Sequence, residues 1–131
     1  MIVLDTSAAV ELLLALPLSH RVAARLEDAQ WQIAAPQLIV VETLQVLRRR
    51  VAAEISTLEE AEEARALLQD LNIRYFDHTL LAERTWQLRS NLSAYDASYV
   101  ALAELLDLEL LTTDARLAHA PGHSARVHLI T

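Results

Sequence analysis

The chain has 131 residues, of which 53% are hydrophobic and 22% charged, so it has enough apolar material for one domain with a buried core. It has no cysteine, which excludes a disulfide framework, a zinc–thiolate site and a thiol nucleophile. Its single glycine, Gly122, excludes the glycine-rich phosphate loops of Rossmann and P-loop proteins. The net charge of −7, with arginine but no lysine, argues against general affinity for nucleic acid.

The start of the chain gives no sign of targeting. Residues 1–5 contain no basic residue and end in Asp5, which predicts that there is no signal peptide. The most apolar stretch, residues 8–18, is shorter than the roughly 20 residues that a membrane span needs. We therefore expect a soluble cytoplasmic protein with no membrane association and one domain over residues 1–131.

Short apolar runs alternate with longer helical patterns along the chain. The predicted strands are residues 2–4, 31–35, 73–76, 109–113 and 126–130. The predicted helices run from Thr6 or Ser7 to Leu14 and over residues 19–29, 36–50, 57–70, 79–90, 94–106 and 115–120. Because the strands are apolar throughout, we expect helices on both faces. The pattern predicts an α/β fold, a three-layer α/β/α sandwich with a mostly parallel sheet of four to five strands.

Local signals support several of the predicted helix starts. Thr57 and Glu60 have the spacing of a capping box, in which each side chain bonds the other residue's backbone N–H. Ser19 and Ser93 are each suited to cap the helix that follows. Pro36 suits the first turn of a helix, where no N–H is required.

The aromatic residues and the histidines give weaker indications. The aromatic side chains predicted to lie in the core are Trp31, Trp86, Tyr75 and Phe76. The C-terminal histidines lie around a Pro-Gly turn without helical spacing, so we expect surface positions rather than a metal site. They are His119, His123 and His128.

Four acidic residues occupy positions where a carboxylate is costly. Asp5 ends the first predicted strand and Asp114 follows the fourth, so both lie at carboxyl ends of strands, where open α/β sheets bind ligands. Glu42 and Asp96 each interrupt the apolar stripe of a predicted helix. A carboxylate that faces packed apolar surface must be paired, protonated or bound to a metal.

Each of these acids also has a purely structural interpretation. Asp5 and Asp114 are suited to cap helices, and Asp96 suits the first turn of a helix, near the positive end of its dipole. Glu42 lies beyond the first turn of its helix, so its main alternative is a partly buried ion pair with an arginine. Taken singly, the four positions leave both interpretations open.

If the fold brings the four acids to one site, they predict a cation site. Two like charges 4 Å apart repel by about 4 kcal/mol at an effective dielectric constant of 20, and four carboxylates make several such pairs. An all-oxygen site without cysteine or aligned histidine suits Mg²⁺ or Mn²⁺. Such an ion bridges readily to phosphate oxygens, which is the chemistry of a metal-dependent phosphodiester nuclease.

The acidic motifs resemble those of the PIN-domain ribonucleases, and specifically of the VapC-type toxins of bacterial toxin–antitoxin pairs. The resemblance covers essentially the whole chain. It is carried by residues 1–8 (MIVLDTSA), 36–42 (PQLIVVE), 95–103 (YDASYVALA) and 111–117 (LTTDARL). Each motif is weak alone, but four in this order over this length are specific. The fold that the resemblance implies is a parallel sheet with helices on both sides.

The resemblance also implies roles for individual residues. Asp5, Asp96 and Asp114 would be direct metal ligands of the catalytic site, and Glu42 would bind directly or through water. Four polar residues flank these acids and would orient carboxylates or water, although capping and turn formation explain them equally well. They are Thr6, Ser7, Thr112 and Thr113.

The function that the resemblance implies is that of an endoribonuclease dependent on Mg²⁺ or Mn²⁺. Its substrate would be RNA, and it would act as the toxin of a pair with a cognate antitoxin protein. The resemblance also implies a homodimer, which would pool the arginine patches of two chains. We make no prediction of the residues that contact RNA.

Other functions are less compatible with the residues. A haloacid-dehalogenase-like phosphatase would need an aspartate two residues after Asp5, where Ser7 stands, and a catalytic lysine, which the chain does not have. Two alternatives remain within the same fold. One is a PIN-domain nuclease that matures cellular RNA, and the other is a non-catalytic PIN-like binding module.

Overall fold

The fold is built on five parallel strands. The computed structural model describes residues 1–131. Its strands are Ile2–Leu4 (β1), Ile33–Pro36 (β2), Ile73–Phe76 (β3), Leu110–Thr112 (β4) and Val127–Leu129 (β5). They pair in the order β3-β2-β1-β4-β5, and every pair is parallel. The three central strands are buried along their full length, which explains why their sequences are apolar without alternation.

Seven helices flank this sheet and confirm the predicted α/β architecture. They are Thr6–Leu13 (α1), Ser19–Asp28 (α2), Leu38–Ala52 (α3), Leu58–Asp70 (α4), Ala82–Gln87 (α5), Ala94–Leu106 (α6) and Ala115–Ala118 (α7). Helices α1 to α4 pack on one another, whereas α5 packs on α6 and α7 packs on β4 and β5. The rule that crossovers between parallel strands are right-handed, applied to this strand order, predicts that these two groups lie on opposite faces of the sheet. None of the helices combines the length and the apolar character that crossing a membrane requires.

The strand order creates a switch point between β1 and β4. From β1 the chain moves outward through β2 and β3, and it then crosses back to β4 on the other side of β1. Crossovers therefore diverge from these two neighbouring strands, leaving a crevice at their carboxyl ends. Asp5 directly follows β1 and Asp114 lies two residues beyond β4, so both acids stand at this crevice.

Two helix starts follow the prediction closely. The Thr57 hydroxyl accepts a hydrogen bond from the Glu60 N–H at 3.1 Å, and the Glu60 carboxylate accepts one from the Thr57 N–H at 2.9 Å. This capping box begins α4. Ser93 caps α6 by accepting a hydrogen bond from the Asp96 N–H at 3.2 Å. Both capping interactions join residues that are three positions apart, so the sequence alone can predict them.

Other predicted boundaries were wrong. Asp5, not Thr6 or Ser7, caps α1, because its carboxylate reaches the first turn of the helix. Ser19 begins α2 but makes no capping hydrogen bond. Pro36 ends β2 instead of opening a helix; pairing of β2 with β1 stops at Ala34, and Pro36 pairs only with Phe76 of β3.

The helix predicted over residues 79–90 is interrupted. Asp77 caps a short 3₁₀ turn, His78–Leu80, by accepting a hydrogen bond from the Thr79 N–H at 2.8 Å. The following helix, α5, covers only Ala82–Gln87. The local capping interaction therefore fixes a separate turn where the sequence pattern suggested one continuous helix.

The prediction of an aromatic core was wrong for three residues. Trp86 is 67% exposed, Tyr75 41% and Trp31 37%, while Phe76 is half-buried at the margin of the core. Tyr75 lies on β3, which is an edge strand and so leaves one side uncovered. The core is instead aliphatic, with Tyr99 as its one large aromatic side chain.

Candidate active site

Asp5 is the most deeply buried of the four acids, with 5% of its surface exposed. One carboxylate oxygen accepts hydrogen bonds from the Ser7 hydroxyl at 2.7 Å and the Ala8 N–H at 2.9 Å. The other oxygen accepts one from the Thr112 hydroxyl on β4. The capping interpretation and the position at the crevice are thus both correct, because the cap of α1 is also the residue that joins β1 to β4.

Burial raises the pKa of Asp5 from 3.8 to about 6, although hydrogen bonds from Thr112, Ala8 and Ser7 lower it. The charge of Asp96 adds a smaller upward shift. Asp5 is therefore negatively charged at neutral pH, although the burial of that charge is energetically unfavourable. A cation in the crevice would relieve that cost.

Glu42 is fixed by hydroxyl groups and not by an arginine. Its Oε1 atom accepts hydrogen bonds from Thr6 at 2.8 Å and from Tyr99 at 2.6 Å. These contacts join α3 to α1 and α6. No arginine forms an ion pair with Glu42, so the structural alternative considered for this residue is wrong.

Tyr99 is a site residue that the sequence analysis missed. It is 1% exposed, and burial, followed by the hydrogen bond to Glu42, raises the pKa of its phenol above the usual value. The group therefore remains a protonated donor to the carboxylate. Its position on the apolar stripe beside Asp96 carried a usable signal, because a buried tyrosine normally needs a partner for its hydroxyl.

Asp96 connects the four acids electrostatically. It lies in the first turn of α6 and is half-buried. Burial raises the pKa of its carboxyl, and the negative charges of Asp114 and Glu42 raise it further. Because Asp96 also raises the pKa of Asp5, Asp96 is the acid whose charge interacts with each of the other three.

Asp114 is both a helix cap and an ion-pair partner. Its Oδ1 accepts a hydrogen bond from the Arg116 N–H at 2.9 Å, and its Oδ2 lies 3.2 Å from the Arg116 guanidinium. Burial raises the pKa of Asp114, but the hydrogen bonds and charge of Arg116 outweigh it and leave the pKa below its ordinary value. Arg116 was not predicted as a neighbour of the site.

The flanking hydroxyl groups link the two strand ends. The Ser7 hydroxyl lies 3.2 Å from that of Thr112 and accepts a hydrogen bond from the Thr113 N–H at 2.9 Å. The Thr112 hydroxyl accepts a hydrogen bond from the Asp114 N–H at 3.0 Å. Thr113 contributes through its backbone. These contacts hold the loops after β1 and β4 together.

The chemistry of this donor set fits a hard divalent cation. The four carboxylates supply oxygen atoms only, and their mutual repulsion makes a positive charge favourable among them. No group of three or more acidic or histidine side chains, however, is already spaced to enclose an ion. Hydroxyl groups orient Asp5 and Glu42, and Arg116 holds Asp114, so enclosing an ion would require side-chain rotation.

Fold and site together define an α/β domain with an acidic crevice at its topological switch point. The family model of the PIN domain matches residues 2–122. The chain belongs to the PIN domain family.

Curated relatives and a solved structure agree with this assignment. The chain is 38% identical to ribonuclease VapC12 of Mycobacterium tuberculosis over 130 residues, which is 99% of each chain. It is 45% identical to ribonuclease VapC1 of the same organism over 97 residues, 73% of each. The crystal structure of Mycobacterium tuberculosis VapC20 matches with a TM-score of 0.67 at 20% identity, covering 92% of this chain and all of that one. The structural match supports the fold.

Proposed function

We propose that this PIN-domain chain is an endoribonuclease that depends on Mg²⁺ or Mn²⁺ and acts as the toxin of a toxin–antitoxin pair. The observation that carries the proposal is the position of Asp5 and Asp114 at the carboxyl ends of the neighbouring strands β1 and β4, with the charge of Asp96 interacting with both and with Glu42. The ribonuclease relatives, aligned over most of the chain, support the reaction class. Residues 1–131 form its single domain.

The four acids would hold the cation, with Asp5, Asp96 and Asp114 as direct ligands and Glu42 as a direct or water-mediated ligand. When bound, a divalent cation lowers the pKa of water and stabilises negative charge on a phosphate. The chain's own contribution is orientation. Three donors fix Asp5, and two hydroxyl groups fix Glu42.

The proposed reaction is hydrolysis of an RNA phosphodiester bond. Water attacks the phosphorus in line, and the bond from phosphorus to the 3′ oxygen breaks. The products carry 5′-phosphate and 3′-hydroxyl ends. Hydroxyl donors hold Asp5 and Glu42 in their present orientations, and these side chains would rotate to enclose the cation before the reaction.

Cleavage of a structured RNA in MgCl₂ tests the reaction. We expect cleavage by the native chain, loss of cleavage in EDTA, and a decrease of at least about a hundredfold in Asp96→Asn, because the variant loses a ligand charge. Asp70→Asn, at the exposed end of α4, is the matched control and should cleave normally.

Equal cleavage by Asp96→Asn and the native chain would contradict the site. RNA binding without cleavage by the native chain would favour the non-catalytic alternative.

The partners belong to the same proposal. A toxin of this type would pair with a cognate antitoxin protein, form a homodimer and act in the cytoplasm. Induced expression should arrest bacterial growth, and co-expression of an antitoxin encoded beside this gene should restore it. Arrest should also be absent with Asp96→Asn. Cleavage without growth arrest would instead favour a nuclease that matures cellular RNA.

A further inference from the structure

A second feature lies beside the acidic crevice. A cavity of about 480 Å³ opens between the start of α3, the segment around α5 and the first turn of α6. This volume is within the usual range of small-ligand sites, about 300–1,000 Å³. None of the four acids lines the cavity, so it is a separate space.

The cavity is joined to the acidic site through two helices. Tyr95 and Ser98 line it from the first turns of α6 and stand on either side of Asp96 in sequence. Leu38 lines it from the start of α3, one helical turn before Glu42. The cavity and the acidic site therefore share the first turns of α3 and α6.

Two largely exposed aromatic side chains line this cavity. Trp86 is 67% exposed and Tyr95 is 62% exposed, and both line the wall. The Arg89 guanidinium lies 4.5 Å from the centroid of the Trp86 ring and also lines the cavity. Exposed aromatic rings beside a cation are the combination that proteins use to stack nucleobases and contact the phosphate chain.

Two polar residues also line this wall. Thr85 is one of them, but its hydroxyl oxygen is enclosed by the protein and has no hydrogen-bond partner in the chain. His78 also lines the cavity, with its Nε2 accepting a hydrogen bond from the Leu38 N–H at 3.1 Å.

We propose that this cavity is a nucleobase subsite, in which Trp86 and Tyr95 stack an unpaired base next to the scissile phosphate while Arg89 contacts the backbone. The inference rests on the proposed ribonuclease function and adds the feature that positions the RNA. The net charge of −7 makes such a local site necessary, because the chain as a whole repels phosphates. Single-stranded RNA is the expected ligand, since a paired base has no free face.

Tryptophan fluorescence tests stacking directly, because the chain has two tryptophans. Trp31→Phe leaves Trp86 as the only reporter, and Trp86→Phe leaves Trp31, which precedes β2, whereas the cavity is lined by residues that follow the carboxyl ends of β2 and β3. Both proteins carry Asp96→Asn to prevent cleavage and are titrated in MgCl₂ with the hexaribonucleotides rA₆, rC₆ and rU₆. We expect saturable quenching only when Trp86 is the reporter, and much weaker quenching by an abasic hexamer of equal charge.

Steady-state cleavage by chains with an intact acidic site provides the second measurement. Trp86→Ala should raise KM by about 5- to 150-fold, the usual loss when a base-stacking side chain is removed, with a smaller change in kcat. Trp86→Phe should retain most of the affinity, and Trp31→Ala should match the native chain. The side chain of Trp86 is largely exposed, so its removal leaves the core intact.

Three outcomes would overturn the subsite. One is normal KM in Trp86→Ala while the native chain cleaves RNA, which would leave the proposed function standing. The second is equal quenching by abasic and normal hexamers, which would indicate phosphate contacts alone. The third is a change in molar mass or antitoxin binding in Trp86→Ala with unchanged KM, which would assign the face to a protein partner. Failure of cleavage by the native chain would instead remove the proposed function.

Discussion

The Asp5 carboxylate combines several physical roles. It caps α1, accepts a hydrogen bond from β4 through Thr112 and adds a charge to the region of Asp96. The first two roles stabilise the fold, whereas the third opposes it because the charge is almost fully buried. The buried charge of Asp5 thus lowers the stability of the fold, and the proposed reaction requires that charge.

Stability should therefore depend on pH through Asp5. Its pKa is about 6 in the folded chain and 3.8 as the ordinary value, so the folded chain binds this proton more tightly than the unfolded chain. Protonation of Asp5 therefore stabilises the folded chain. This stabilisation is complete below about pH 4 and is lost as the pH rises through about 6. We expect Asp5→Asn to be up to about 3 kcal/mol more stable than the native chain at pH 8, with little difference at pH 4.

Urea denaturation at both pH values, in EDTA to remove divalent ions, measures this difference. Asp70→Asn serves as the exposed control and should follow the native profile. A deficit in stability for Asp5→Asn at pH 8 would show that its hydrogen bonds outweigh the desolvation of its charge.

At the residue scale, the sequence predicted which carboxylates were unusual but not how they are held. Asp5 and Asp114 follow apolar strands, and that adjacency is visible in the sequence. The hydrogen bond from Tyr99 to Glu42 joins positions 57 residues apart, so no local pattern contains it. The ion pair of Asp114 with Arg116 is local, but the choice of this partner depends on the loop conformation.

Helix α4 is the element that local sequence specifies best. Its first turn has reciprocal hydrogen bonds between Thr57 and Glu60, and Glu59 adds an acidic residue near the positive end of the helix dipole. None of the four acids lies on this helix, which packs on α1 and α3. Its stability should therefore be separable from activity.

Thr57→Ala should destabilise the protein by about 1 kcal/mol, because the Glu60 N–H loses its acceptor. Chemical denaturation measures this loss, and RNA cleavage by the folded variant should remain normal. Glu59→Ala is the control, since it lies in the same turn but has no part in the capping box. A loss of equal size in both variants would contradict the importance of the box.

Elements were predictable where a local interaction decides them. The boundaries of α4 and α6 follow from Thr57 and Ser93. Pro36 was misplaced because a proline suits both a helix start and a strand end, and only pairing with β3 decides between them. Trp86 was wrongly predicted to lie in the core, because the sequence of α5 does not reveal which side of this helix is exposed to solvent.

The whole molecule brings the acids together through its strand order. Residues 5 and 42 belong to the first half of the chain and residues 96 and 114 to the second, and β1 pairs with both β2 and β4. The parallel sheet itself was predictable from the alternation of elements. The pairing of β1 with β4 was not predicted, because no pattern within the strands encodes their order in the sheet.

A cation that binds only the folded site should stabilise the whole domain. For the proposed site, Mn²⁺ at 100 times its Kd should add about 2.7 kcal/mol, which raises Tm by roughly 10 °C. Differential scanning calorimetry with increasing MnCl₂ measures this shift. Asp96→Asn should lose most of it, whereas Asp70→Asn should keep it; an identical shift in both variants would indicate binding elsewhere.

The hydrogen bond from Thr112 to Asp5 spans 107 positions of the chain. Translation delivers Asp5 first and Asp114 only after the whole segment between them has been made. A growing polypeptide therefore lacks a complete set of acids until that segment has been synthesised. For an enzyme proposed to destroy RNA, this arrangement withholds activity from the nascent chain until Asp114 has been added and β4 can pair with β1.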